Sequence, residues 1–327
     1  MNYCTISKNL KSPNFFIIVR LEHLMYLRFV LIFVFMKIKF FSIFALLLGI
    51  NMLSAQTTRV FGVAHQDDWQ LFMNPYVANS IQNAEDKTVI IHLTAGDAGY
   101  GMGNDAFYKA REEGALRAVR FLSNTVENRL KAGNEMSRSI TMIRNHPILT
   151  YSYHNTVVYF LRLPDGNGDG SGFSLHNQKS LEKFYNRQVV DFIAIDQSTT
   201  YTNKEDLLGT LKELITTTHT GTQLEIHLTE LSEDLNVDDH SDHLTASRFI
   251  TEAATNQFRG EFYYYINYQT ANLEGNLERD EILINSGTWG ATASGLSDQR
   301  HASLWDEYHT TYLDRQYYRV LPISLER

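Results

Sequence analysis

Two short clusters concentrate the residue types that hold cations and move protons: His65-Gln66-Asp67-Asp68 and His240-Ser241-Asp242-His243. In the first, His65 and Asp68 stand three apart and can turn toward one cation, while Asp67 between them can face an open coordination position. In the second, His240 and His243 stand three apart and share a face once a helix has begun. Two histidines and one carboxylate form a common zinc set that leaves a fourth position for water. A lone histidine at a strand end is more often structural; two such clusters at element ends are harder to make by accident. The only cysteine is Cys4. Thiolate ligands, disulfides and cysteine nucleophiles are therefore excluded from the rest of the chain, and any metal falls to His, Asp or Glu.

These clusters need elements to hold them. Arg59–Ala64, Thr88–Thr94, Thr156–Leu163 and Leu224–Thr229 are apolar, β-branched runs that read as buried strands. Helical periodicity covers Ala106–Leu122, with Phe107, Ala110, Leu116, Val119 and Leu122 on one side. It recurs over Lys204–Thr217, through Leu207, Leu208, Leu211, Leu214 and Ile215, and over His243–Asn256. Strands separated by single helices predict an α/β, Rossmann-like fold, with a mainly parallel sheet flanked by helices. Such sheets carry their chemistry beyond the carboxyl ends of the strands. Both clusters fall on predicted loops, the first directly after a strand. With no internal repeat and no Pro-rich linker, residues 56–327 read as a single domain. Its Tyr- and Trp-rich tail, from about Glu261, reads as a C-terminal extension.

At these residues the sequence resembles the PIG-L/LmbE family of zinc-dependent N-deacetylases. That family has His-Pro-Asp-Asp after its first strand and His-Pro-Asp-His late in the domain. Three further segments match in order: Thr94-Ala95-Gly96-Asp97, the helix bearing Arg111, and Leu163-Pro164-Asp165-Gly166. The likeness covers roughly residues 59–257. It implies zinc (or another divalent metal) on His65, Asp68 and His243, with Asp67 as general base. It also implies a protonated His240 stabilising the oxyanion and Asp242 orienting His240 or a ligand imidazole. Arg111, Trp69 and Gln66 are then expected to meet the substrate, a small molecule or glycan bearing an N-acyl group. The sequence departs from the family at both motif prolines, replaced by Gln66 and Ser241. It departs also at Trp69 and Gly114, where acidic residues are usual.

Composition sets the compartment and the partners. Residues 1–55 hold six of the 29 basic residues and one of the 37 acidic ones. The remainder, with 23 basic and 36 acidic residues, has a balance of −13. So acidic a chain repels nucleic acid and anionic membranes, and both are excluded as partners. Met36-Lys37-Ile38-Lys39, an apolar stretch from Phe40 to Leu53 and Ser54-Ala55-Gln56 follow the order of a secretory signal peptide. The expected start is Met36 and the expected cleavage follows Ala55, giving a secreted or periplasmic protein without a stable membrane anchor.

Other signals carry less. Asp165, Asn167 and Asp169 have the oxygen spacing of a calcium loop, but position 12 is His176 rather than Glu; a tight glycine-rich turn is the first reading of the run and a structural calcium the alternative. Gly96, Gly99, Gly101 and Gly103 lack the spacing of a nucleotide loop. His92 and His227, inside strands, read as core residues; Tyr263, Tyr264, Tyr265 and Tyr268 read as a strand; Lys131–Arg144 reads as a solvated face. Two rival functions remain beside N-deacetylation: hydrolysis of another amide by the same site, and non-catalytic glycan binding on the same fold.

Overall fold

Strands covered on both faces have no reason to alternate polar and apolar residues, so the unbroken apolar runs form the middle of a sheet. The computed structural model describes residues 56–103, 106–126 and 135–323. The expected export signal lies outside them.

β1 (Thr57–Val63), β2 (Lys87–Thr94), β5 (Thr156–Leu163), β8 (Gln223–Thr229) and β9 (Gly260–Tyr265) run parallel. Antiparallel β4 (His146–Tyr153) and β3 (Ser137–Ile143) extend one edge, and β10 (Tyr318–Ile323) extends the other. The full order is β10-β9-β8-β1-β2-β5-β4-β3. A separate ribbon pairs β6 (Phe192–Ile193) with β7 (Thr200–Tyr201). The Tyr263–Tyr265 run is thus a strand of the main sheet. Ser137–Ile143, from the stretch read as a solvated face, is an edge strand with mostly exposed side chains.

Period-two alternation sends successive residues to opposite layers. Val60 joins a core with Val89, Ile226, Leu211 and Phe249, whereas Phe61 and Val63 join one with Ile90, Leu116 and Val119. The first layer includes the helices Lys204–Thr218 and Ser241–Ala254; the second includes Phe107–Asn124. Gly62 shows how closely the first layer packs. A Cβ there would stand 2.1 Å from Ile250 Cδ1, so the helix rests directly on β1.

The helix Arg279–Asp298 has no apolar stripe; small residues interrupt it throughout. It packs on Phe107–Asn124 by close approach. A Cβ on Gly295 would stand 2.6 Å from Gly114 Cα, and one on Gly114 would stand 2.9 Å from the Thr292 carbonyl oxygen. That crossing is why a glycine occupies position 114. No helix among the described residues is long and apolar enough to cross a membrane.

The strand order turns at β1: β2 lies on one side of it and β8 on the other. Neighbouring parallel strands whose connections leave in opposite directions open a crevice at their carboxyl ends. His65 follows β1, and the segment leading to His240 follows β8.

Candidate metal centre

The chain leaves β1 through His65 and turns at once into the short helix Asp68–Phe72. The turn is closed by the His65 backbone N–H, which donates to Asp68 Oδ2 at 2.8 Å. Across the crevice, His240 caps the helix Ser241–Ala254, its Nδ1 accepting the Asp242 N–H at 3.1 Å. His243 lies in the first turn of that helix. The three imidazoles meet with ring centroids 4.6 to 5.2 Å apart.

His65 Nδ1 lies 3.1 Å from His243 Nε2, which lies 3.0 Å from Asp68 Oδ1; His65 Nδ1 is 3.6 Å from that oxygen. Ligands held tetrahedrally around zinc at ordinary bond lengths are about 3.3 Å apart, so these spacings fit the donor set. All three residues are buried, at 5%, 3% and 1% exposure for His65, Asp68 and His243. The field agrees with the geometry. Burial opposes charge on each, yet Asp68 and its carboxylate neighbours push His65 up to about 9 and His243 well above its ordinary value. The imidazoles in turn hold Asp68 well below the usual carboxylate range, against its burial. A site that draws protons so strongly draws a divalent cation for the same electrostatic reason.

A second group capable of holding a metal combines His65, Asp165, His240 and Asp242. It shares His65 through the opposite ring nitrogen. Nε2 of His65 lies 3.4 Å from Asp242 Oδ2 and 3.9 Å from Asp165 Oδ2. This is the position from which a carboxylate orients a metal-binding imidazole.

A cavity of about 330 Å³ opens above this floor. Asp67, Asp68, His65, His240, Asp165 and Arg111 line its base. Phe107 and Phe173 line one part of its wall, and Phe72, Tyr268, Tyr308 and Tyr312 another. Tyr268, read from sequence as part of a strand, stands in a short 3-10 helix with its ring 5.3 Å from His243. His309 accompanies it on the wall and pairs with Asp306 at 2.7 Å.

The structure brings His65, Asp67, Asp68, His240 and His243 together and sets other residues apart from them. Trp69 does not face the cavity. It follows Asp68 in a helical turn, which rotates its side chain away, and it is fully buried in the second core layer. Gln66 is likewise buried, its amide donating to the Ala95 carbonyl at 2.9 Å. Arg111 reaches the cavity but is committed to the protein. It pairs with Asp67 Oδ1 and donates to the Gly96 carbonyl at 2.8 Å.

The protonated His240 is also corrected. Burial first, then the neighbouring His65 and His243 rings, hold its pKa far below the ordinary value. Because Nδ1 accepts from the backbone, the neutral ring keeps its hydrogen on Nε2. Asp242 backs His65 rather than His240 through its side chain, and Oδ2 also accepts the Gly166 N–H at 2.8 Å.

In the would-be calcium loop, Asp165 accepts the Asn167 and Ala98 N–H groups and Asp169 accepts that of Ser171. The Asn167 and Ser171 bonds close turns, whereas the Ala98 bond links Asp165 to a loop 67 residues earlier. His176 pairs with Asp97 at 2.8 Å. His92 and His227 are fully buried in the sheet, the first stacked on Phe160 and the second 2.9 Å from the Tyr265 hydroxyl.

No family profile matches the chain. No curated protein matches it in sequence. A solved structure with a similar course of chain is N,N'-diacetylchitobiose deacetylase from Pyrococcus horikoshii, in complex with its inhibitor. The likeness covers 82% of this chain and 84% of that one, at 11% identity and a TM-score of 0.45. At that level it bears on neither the substrate nor the chemistry of this site.

Proposed function

We propose that this protein is an exported, metal-dependent hydrolase of the PIG-L/LmbE kind that removes an N-acyl group, acetyl first among them, from an amino sugar or glycan. One observation carries the reading: His65, Asp68 and His243 converge, buried, and His65 and Asp68 line a cavity that Asp67 and His240 also line. The amino-sugar part rests on the motif resemblance, and export rests on Met36–Ala55.

A divalent cation held by His65, Asp68 and His243 would supply a Lewis acid for the acyl carbonyl and a more acidic water. The chain's own groups divide the remaining tasks. Asp67 takes the proton of the attacking water and passes it to the departing amine. Arg111 occupies its Oδ1, which leaves Oδ2 for that proton. His240, neutral with hydrogen on Nε2, donates to the oxyanion, a contribution of about 3 kcal/mol for one such donor. Asp242 holds His65 from behind. The aromatic wall keeps water away from the reacting carbonyl and offers ring faces to a sugar.

The test is metal content and acetate release together. One zinc per chain, lost in Asp68→Ala and His243→Ala, with acetate released from N-acetylated sugars, is the expected result. A wild-type protein that fails to take up added zinc would remove the proposal. Zinc binding with glycan binding but no acetate release would turn it toward the non-catalytic reading.

A further inference from the structure

His243 Nε2 faces Asp68 and His65, so its other nitrogen decides how the ring is held. Nδ1 lies 2.9 Å from Asp239 Oδ1 and 3.2 Å from the Asn267 side-chain amide. Asp239 is four residues before His243, its side chain is fully buried, and it is anchored at both oxygens. Oδ1 also accepts the His240 N–H at 2.8 Å, and Oδ2 accepts from the Asn236 amide. Asn236 Oδ1 in turn accepts the Asn267 N–H at 3.1 Å.

Resting on the metal reading above, we infer that Asp239 is the positioning residue for His243. It holds the imidazole as the Nδ1–H tautomer, so that the Nε2 lone pair is directed at the cation. A carboxylate then faces the outer nitrogen of each imidazole, Asp242 at 3.4 Å from His65 Nε2 and Asp239 hydrogen-bonded at 2.9 Å to His243 Nδ1, and one stretch of five residues, 239–243, supplies both carboxylates and one ligand. The Asp239 anchor runs through Asn236 to Asn267, at the end of β9, which ties the metal site to the C-terminal part of the chain. A carboxylate in this position fixes the ring and raises its basicity as a ligand; losing one weakens metal binding by about 10- to 100-fold.

The experiment is zinc affinity by chelator competition on the purified protein and its Asp239→Asn, Asp239→Ala and Asp206→Asn variants. Nitrogen-15 NMR of His243 in the zinc-free protein accompanies it, followed as the pH is raised until the ring loses its charge, so that the tautomer of the neutral imidazole is read. Asp206 pairs with His146 at 3.1 Å away from the cavity and controls for loss of any carboxylate–histidine contact. Expected are weaker zinc binding in both Asp239 variants, more so in Asp239→Ala, unchanged affinity in Asp206→Asn, and a mixture of His243 tautomers in Asp239→Ala. Affinity within about twofold of wild type in both Asp239 variants, or a single unchanged tautomer in Asp239→Ala, would overturn the role of Asp239 and leave the metal reading intact. A wild-type protein that takes up no zinc would overturn the metal reading, and this inference with it.

Discussion

The floor and the wall of the cavity are built in opposite ways. The floor takes His65, Asp67, Asp68 and His240 from two stretches of four residues, at the ends of strands and at helix starts, and only Arg111 and Asp165 join it from elsewhere. The wall draws Phe72, Phe107, Tyr268, Tyr308 and Tyr312 from distant parts of the chain. Phe72, Tyr268 and Tyr312 pack with Trp289 of the helix Arg279–Asp298, which crosses Phe107–Asn124 at Gly114 and Gly295. The difference teaches that the chemistry is local and portable, whereas the fit to a substrate depends on long-range packing.

The largest expected effect tests the floor. Asp67→Ala should keep its zinc and lose turnover by about 10²- to 10⁴-fold, read as acetate release beside metal content. Full activity in that variant would take Asp67 out of the base role. The next tests what holds the wall. Gly295→Ala forces a methyl group against Gly114 and should destabilise the fold by about 1–3 kcal/mol in urea unfolding, with zinc stoichiometry unchanged. A variant as stable as wild type would mean the crossing yields without cost.

A third asks whether a histidine beneath the site behaves as a structural one. Burial depresses the His227 pKa to about 4. As pH falls below about 6.5 the unfolded chain takes the proton first, so stability is lost until the folded pKa is passed and then levels off. Between pH 7 and pH 5 the wild type should lose about 2 kcal/mol more than His227→Phe. Equal losses would show that His227 does not carry this acid sensitivity. The smallest effect belongs to the rim. Tyr308→Ala should raise KM by about 3- to 10-fold with kcat nearly constant, as removal of uniform binding does; a fall in kcat alone would place Tyr308 in the chemistry and blur the contrast.

Much of the sheet was legible. The predicted runs at 59–64, 88–94, 156–163 and 224–229 fall on β1, β2, β5 and β8, and the three helices lie within two residues of their expected starts. The strands are covered on both faces and stand out as unbroken apolar runs, whereas the helices bury one face and show it as a 3.6-residue period. The hairpin of β3 and β4 and the helix Arg279–Asp298 gave weaker signals. The first has an exposed edge strand, and the second packs through small residues, which leave no apolar stripe to read.

Sequence alone determined which atoms could hold a cation, since spacing within a turn restricts where His65, Asp68, His240 and His243 can point. It placed them at strand and helix ends for the same reason. Which neighbours back those ligands was a tertiary decision. Asp242 faces His65 and Asn267 meets His243 across the fold, Trp69 turns into the core beside its motif, and Arg111 is committed to Asp67. Local spacing fixes direction along one element; only packing of distant elements fixes which side chains share a cavity and which are buried beneath it.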